Sequence, residues 1–393
     1  MNGSSWNRRT FLTDASLTAV AAAAAPRLLY ANSIVPPIRG SKPFLACVSS
    51  SLSGLGSAHQ MAVYHVQDGE WRPLNKPITS EAPRSLAIHP AQCVIYVAHD
   101  TLEYLGLPRA SVSAFALDPS SGALLLLNRV ALTLTATCPQ HISVSPDGGT
   151  LLVSASGGGS YNVFRLAGDG SILPGGYALK QTGCGPHSLQ SSAHPRASVF
   201  QKSGLAAFAC DFGSDRIDQI DFTGEAPAVT SRASFAPGSG PSHLALHPSG
   251  GALVIANHLR PSLQVFTVDP TYSHLGASIQ QLPLDALSAG PLCFGPSGDD
   301  LYATGVSRSR ETVLFSFQMD RASFHLRPIA RKDGLGAGRP RQLMTHGSDL
   351  FLVGDTGVRS LRLDRQKQEP ALRLAFQQVL RKSYLSSMVI STL

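Results

Sequence analysis

Charged side chains are scarce in this sequence, 15% of 393 residues, whereas apolar ones make up 43%. That balance excludes an expanded, charge-solvated chain, because there is ample apolar surface to bury. No Cys-x-x-Cys pair occurs among the six cysteines, so a zinc-finger framework is excluded. Cys47, Cys93, Cys210 and Cys293 instead sit inside apolar, strand-like runs, where a free thiol behaves as a small core residue. No histidines cluster at metal-ligand spacing, and neither a metal nor a cofactor is expected. A Gly-x-Ser-x-Gly elbow is missing, which leaves a serine hydrolase unsupported. Gly157-Gly158-Gly159 lacks the Lys-Ser/Thr of a phosphate loop and reads as a turn. Basic residues are scattered, with no aromatic-interleaved stripe, so the net charge of +7 gives no support to a nucleic-acid partner. Past residue 31 no apolar run approaches the length that spans a bilayer.

The first thirty residues follow a different logic. Asn7-Arg8-Arg9-Thr10-Phe11-Leu12 sets paired arginines ahead of two apolar residues, and an alanine-rich stretch runs from Ala15 to Ala25. The segment resembles a twin-arginine export signal, 1–31, cut near Ala31. Its hydrophobicity is too weak and too short for a permanent anchor. The resemblance implies a periplasmic or secreted mature chain, expected to be a monomer. Export would permit disulfides, but the apolar surroundings of most cysteines predict free thiols.

What the sequence does contain is a repeat. A proline, an apolar run, a short turn and a second apolar run recur at Pro83, Pro139, Pro186, Pro241, Pro291 and Pro340. The second runs are Val94-Ile-Tyr-Val-Ala, Leu151-Leu-Val-Ser, Ala206-Ala-Phe-Ala-Cys, Leu253-Val-Ile-Ala, Leu301-Tyr-Ala-Thr and Leu350-Phe-Leu-Val. A near-constant period of roughly 50 residues marks propellers and related repeat folds. Pro-Asp-Gly and Pro-Ser-Gly between the runs are turn sequences, with Pro fixing φ and Gly accepting a positive one. A third strand of alternating character follows, such as Leu263-Gln-Val-Phe-Thr-Val, and then a fourth. The runs are too short and too often cut by proline for helices. The prediction is an all-β, seven-bladed β-propeller of four-stranded antiparallel blades over residues 43–393. Its chain begins mid-blade at Phe44-Leu-Ala-Cys-Val, so Tyr384 to Leu393 is expected to complete the first blade as its innermost strand. Closing the ring this way removes unpaired edges.

Within this frame Gly185-Pro-His-Ser-Leu, Asp211-Phe-Gly-Ser-Asp-Arg-Ile, Gly240-Pro-Ser-His-Leu-Ala-Leu-His-Pro-Ser-Gly and Ser143-Val-Ser-Pro-Asp-Gly stand out. They resemble the seven-bladed lactonase family, which includes propeller-type 6-phosphogluconolactonases and the fungal carboxy-muconate lactonising enzyme. The likeness covers roughly residues 43–390. It implies hydrolysis of a sugar lactone at polar residues around the central channel. By motif, His187 matches the family's His of a His-Ser pair, Asp215 and Arg216 its Asp-Arg, and His243 the His of Pro-Arg-His-Leu. The sequence departs from the family in four places. Ser242 stands for the motif's Arg, His258 follows Asn257 where an acid is usual, Ala289-Gly290-Pro291 replaces Ala-Glu-Ile, and Gly185 replaces a second His.

Opening an ester needs a water, a base to take its proton, and donors for the developing oxyanion. His187 and His258 are candidate bases, since histidine titrates near neutrality. Arg216 is a candidate clamp for a carboxylate, a phosphate or the oxyanion. Asp215, His243, Asn257 and His141 complete the expected substrate-binding set. Asp215-Arg216 reads equally well as a blade-to-blade salt bridge, His187 as a satisfier of backbone groups, and His89 and His247 as structural parts of His-Pro turns. Arg308 and Arg310 read as solvated. The expected partner is a small-molecule lactone. A non-catalytic propeller binding a ligand or protein, or a muconate-type cycloisomerase, fits the same residues.

Overall fold

The second strand of each repeat is buried along most or all of its length, from Val94–His99 to Asp349–Gly354, because a neighbouring blade covers each of its faces. Strands covered on both faces read as continuous apolar runs, which is how these appear in the sequence. Outermost strands alternate instead, as the exposed and half-buried positions of Ala228–Ser234 do. In the computed structural model the described residues are 42–50, 59–269, 271, 274–336, 338–355, 357–363, 377–380 and 385–392. The twin-arginine stretch, its cut near Ala31, Tyr384 and Leu393 lie outside them.

Seven antiparallel sheets follow one another, and no described residue is helical. Blade 2 comprises Pro83–Ile88, Val94–His99, Ser111–Leu117 and Leu124–Ala131 from the axis outward. Blade 3 comprises Thr137–Val144, Thr150–Gly157, Ser160–Arg165 and Tyr177–Lys180, and blade 4 Pro195–Phe200, Ala206–Asp211, Arg216–Asp221 and Ala228–Ser234. Blade 5 is built of Pro241–Leu246, Ala252–Asn257, Ser262–Asp269 and His274–Pro283. Blade 6 runs Ser288–Phe294, Asp300–Val306, Thr312–Met319, Leu326–Lys332, and blade 7 Pro340–His346, Asp349–Gly354, Gly357–Arg362, Gln377–Leu380. Side chains from facing sheets form the core: Val94, Tyr96 and Ala98 of blade 2 meet Ile142, Leu151 and Val153 of blade 3. Each such Val, Leu or Ile contributes about 1.5–3 kcal/mol by leaving water.

Blade 1 closes the ring as the sequence predicts. Leu385–Thr392 pairs antiparallel with Phe44–Ser50, beside Gln60–Gln67 and Glu70–Pro73. The last strand also reaches its neighbours: Ser387 Oγ accepts from the Leu86 N–H of blade 2 at 3.2 Å, and the Met388 N–H donates to Gln342 Oε1 of blade 7 at 2.8 Å. The turns between first and second strands close with Gly148, Gly250 and Gly298 at positive φ, each donating its N–H three residues back. His89 Nε2 lies 3.2 Å from the Gly148 carbonyl of the next blade, so His89 has the structural role expected of it. All six cysteines are free thiols; Cys47 and Cys210 are fully buried and Cys93 and Cys293 half-buried.

One register is corrected. The fourth unit's first strand is Pro195–Phe200, not the run after Pro186. Pro186 to Gln190 is a loop, in which the Gln190 N–H donates back to the His187 carbonyl at 2.8 Å. The proline-plus-apolar pattern occurs twice within ten residues here, and only the second copy is followed at the right distance by a glycine turn, at Gly204.

Candidate functional site

The head of every innermost strand carries a β-bulge. Register skips one residue just after the proline in blades 2, 3, 4, 5 and 7, at Arg84, Gln140, Arg196, Ser242 and Arg341, and at Ser386 in blade 1. In blade 6 the skipped pair is Gly290-Pro291. A bulge leaves its extra residue out of the ladder and re-aims the side chain, a device that recurs beside active sites. Where blade 5 has Ser242 at this position, blade 4 has Arg196.

Arg196 is the centre of this arrangement. Its guanidinium carbon sits 4.5 Å from the centroid of the Phe212 ring, and its Nε is buried with no hydrogen-bond partner. Among the described residues no carboxylate pairs with it. Burial, the largest cause, pushes its pKa down, and the neighbouring Arg84 acts in the same direction. Arg84 reaches the next blade, donating to Gln140 Oε1 at 3.3 Å, and Gln140 Nε2 faces Cys138 Sγ at 3.5 Å. Burial holds the Cys138 thiol above its ordinary pKa, which argues against a thiolate nucleophile.

Phe212, 1% exposed, carries two more rings: His258 at 6.0 Å and His194 at 6.5 Å, the latter nearly parallel at 20°. His194 is placed by the turn that follows blade 4's second strand. Asp211 Oδ1 accepts from the His194 N–H at 2.6 Å and the Gly213 N–H at 3.0 Å. A Cβ on residue 213 would lie 1.8 Å from the Ser192 carbonyl oxygen, so only glycine permits this closure.

His258 sits just past the second strand of blade 5. Its Nδ1 lies 2.9 Å from the Ala289 carbonyl oxygen and must be the protonated nitrogen, which leaves Nε2 with a free lone pair. Burial, the first cause, lowers its pKa against the opposing effect of the Ala289 bond, and Arg196, Arg339 and His187 lower it further. It is thus neutral at pH 7. His243 is depressed to about 3 by burial, then by His258, Arg196 and His141, and burial holds His141 at about 4. Arg196 and His258 thus share the Phe212 ring, and His243 lies within electrostatic reach of both and of His141, the four coming from three blades. Exposed His187 stands on the Pro186–Gln190 loop, its Nδ1 accepting the Leu189 N–H at 3.2 Å, and acts electrostatically on His258.

Arg216, Asp215 and Asn257 stand apart from this group. Arg216 Nη2 lies 3.4 Å from Asp211 Oδ2 and its Nε 3.3 Å from Asp218 Oδ1, the latter an ion pair without hydrogen-bond geometry. It also donates to the Thr182 carbonyl at 2.8 Å and Gln181 Oε1 at 2.9 Å, in the chain leaving blade 3. This is an inter-blade clamp. Asp215, at φ +50°, uses its carboxylate on Gln190 Nε2 and the Gly238 and Gly240 N–H groups, all within 2.7 Å. Buried Asn257 donates to Ser262 Oγ at 3.1 Å. The motif's Asp-Phe-Gly and Asp-Arg thus shape loops, and only Phe212 touches Arg196 and His258. Sequence reasoning missed Arg196, Arg84, Gln140, His194 and Phe212. Pro83-Arg84, Pro195-Arg196 and Pro340-Arg341 recur at one position of the repeat, a signal visible once blade 4 is in register. Among the described residues no group of three His, Cys, Asp or Glu side chains is placed to hold a metal.

Comparison with known proteins follows the same lines. The protein matches a 6-phosphogluconolactonase of Bacillus subtilis (strain 168) at 28% identity over 163 residues, 42% of this chain and 46% of that one. The match spans about half the length of that relative. The solved periplasmic gluconolactonase PpgL of Pseudomonas aeruginosa superposes with a TM-score of 0.76 at 22% identity, covering 89% of this chain and 99% of that one. A Lactobacillus plantarum protein does so at 0.74 and 16%, with 89% and 99% covered. At these identities the structural likeness is one of fold. A sequence model of the family "Lactonase, 7-bladed beta-propeller" matches residues 46–367, most of the protein. With seven blades and that match together, the chain belongs to the seven-bladed β-propeller lactonase family.

Proposed function

We propose that the protein hydrolyses the ester of a sugar-type lactone at the channel mouth, with Arg196 and His258 as the reacting groups. The observation that carries this reading is the half-buried, carboxylate-free Arg196, its Nε closed off from water, on the ring that also supports a neutral His258. His258 Nε2 takes a proton from water as the oxygen attacks the carbonyl carbon. The carbonyl oxygen gains negative charge, which Arg196 stabilises in a poorly hydrated setting where such a contact is strong. The ring C–O bond then breaks, and the protonated His258 returns the proton to the leaving alkoxide. The names of the Bacillus and Pseudomonas relatives point to 6-phosphogluconolactone or gluconolactone as substrates. Paired arginines at the N-terminus favour an exported enzyme acting on an unphosphorylated lactone.

The test is a panel of aldonolactones followed by acid release, wild type against His258→Asn, which keeps a donor for the Ala289 carbonyl at the place of Nδ1. Turnover by the wild type and a kcat reduced about 10²–10⁴-fold in the variant is the expected result. Failure to open any lactone, or equal rates, would overturn it.

A further inference from the structure

Blade 6 carries a cavity that opening a single lactone ring does not use. It measures about 520 Å³ and is lined by Asp285, Ser307, Arg308, Ser309, Arg331 and Asp333. Small-molecule sites typically measure about 300–1,000 Å³. All its walls come from the end of the propeller that holds His258. Ser307, Arg308 and Ser309 belong to the turn after blade 6's second strand, the counterpart of the turn that carries His258 in blade 5. Asp285 precedes the inner strand Ser288–Phe294, and Arg331 and Asp333 stand at the end of the outer strand Leu326–Lys332.

Ladder geometry sets this cavity beside the support of His258. Ser288 pairs with Val306 and Ala289 with Gly305. Ser307 is therefore one strand and two residues away from Ala289, on the order of 8 Å between Cα atoms at about 4.8 Å per strand and about 3.3 Å per residue. The Ala289 carbonyl is the group that holds His258 Nδ1 at 2.9 Å. The Leu287 N–H donates to the Val306 carbonyl at 2.7 Å, which keeps Asp285, two residues earlier, beside the same turn.

The lining selects the ligand. None of its six side chains is apolar, which disfavours an alkyl or aromatic group. Two arginines and two aspartates cancel in formal charge, so neither a dianion nor a cation is favoured. Arg331 is already engaged: Nε and Nη2 donate to Asp333 at 2.8–3.2 Å, and Nη1 to Asp285 Oδ2. What remains is Arg308, exposed and without a partner among the described residues, as a donor, and Asp285 Oδ1 as an acceptor. The Ser307 and Ser309 hydroxyls, 2.8 Å apart, lie with them. Donors and acceptors side by side in a charge-balanced cavity match the adjacent hydroxyls of a sugar, each of which both gives and takes hydrogen bonds.

We infer that this cavity is a subsite for a neutral glycosyl residue, so that the substrates include lactones carrying a second sugar. The inference rests on the lactonase reading for the reaction, but occupancy of the cavity is measurable without it. With the lactone carbonyl at Arg196 and His258, the second sugar would extend past Ala289 towards Arg308 and Asp285.

The experiment compares wild type with Arg308→Gln and Asp285→Asn, both at exposed positions outside the hydrophobic core. Calorimetric binding of the non-hydrolysable glucono-δ-lactam is set against that of its 4-O-glucosyl derivative, and kcat/KM is measured for the two matching lactones. The expected result is about tenfold tighter binding of the glucosylated lactam by the wild type, reduced to less than threefold in each variant, with plain lactam binding changed less than twofold. A glucosyl preference that both substitutions remove, in a protein opening neither lactone, would sustain the subsite and sink the hydrolytic reading. Equal affinity of the wild type for the two lactams overturns the subsite, and so does a preference that both variants retain, since the second sugar would then sit elsewhere. Tighter binding of a 6-phosphorylated lactam that Arg308→Gln abolishes, with no glucosyl preference, would make the cavity an anion site and overturn it too.

Discussion

Two arginines of blade 4 make opposite predictions for stability. Arg216 faces the carboxylates of Asp211 and Asp218, both fully buried, and its side chain is 13% exposed. Burial already pushes the Asp218 pKa up, and Arg216 is the first of the groups that hold it down. Arg216→Met leaves both carboxylates short of a counter-charge and the Thr182 carbonyl and Gln181 without a donor. Removing one member of a buried pair costs about 3–5 kcal/mol. For the roughly 320 described residues, at about 2.1 cal/mol/K each, that is a fall in Tm of about 4–7 °C. Arg196→Met removes no ion pair and abolishes a buried Nε that lacks a partner, at the loss of one cation–π contact of about 1 kcal/mol. Its Tm is expected within about 2 °C of wild type or above it. Scanning calorimetry at pH 7.5 on the three proteins decides. The assignment of clamp to Arg216 and site to Arg196 fails if Arg216→Met melts with wild type, or if Arg196→Met is the less stable variant.

Gly213→Ala drives a methyl against the Ser192 carbonyl and is expected to cost about 1–3 kcal/mol and to displace His194; a melt and a lactone assay report the two effects separately. Stability should fall with acid. His99, His141 and His243 have folded pKa values depressed by burial to about 4, 4 and 3, so the unfolded chain binds more protons below its ordinary value of 6.5. Stability is complete above pH 6.5 and is lost as pH falls towards 4, each histidine costing about 2 kcal/mol at pH 5. Urea midpoints at pH 8, 6 and 5 check this, and a flat series contradicts it. Deleting residues 385–393 exposes the Phe44–Ser50 edge and the partners of Ser387 and Met388, and light scattering should show aggregation that the intact chain does not.

The blades were legible because period and patterning are physical consequences of sheets stacked face to face. Val94-Ile-Tyr-Val-Ala and Leu253-Val-Ile-Ala read as strands covered on both sides, and they are. The closing strand was legible too, since an unpaired start at Phe44 demands a partner. The site was legible only in part. His243 and His258 of blade 5 lie within electrostatic reach of Arg196 in blade 4, and His243 of His141 in blade 3, and no linear spacing expresses that meeting. Arg196 was hidden by the first of the two proline patterns, at Pro186, which put blade 4 out of register. Asp215 and Arg216 drew attention because their motif is distinctive, yet what the motif encodes is a left-handed turn and a buried clamp. Distinctive sequence here reports difficult backbone geometry as much as chemistry.

The account stands most directly on the rate at which Arg196→Met opens an aldonolactone that the wild type hydrolyses, measured well below both melting temperatures. A loss of about 10²–10³-fold in kcat with the fold intact is the predicted result. Hydrolysis at the wild-type rate would place the oxyanion elsewhere and contradict the site built around Phe212.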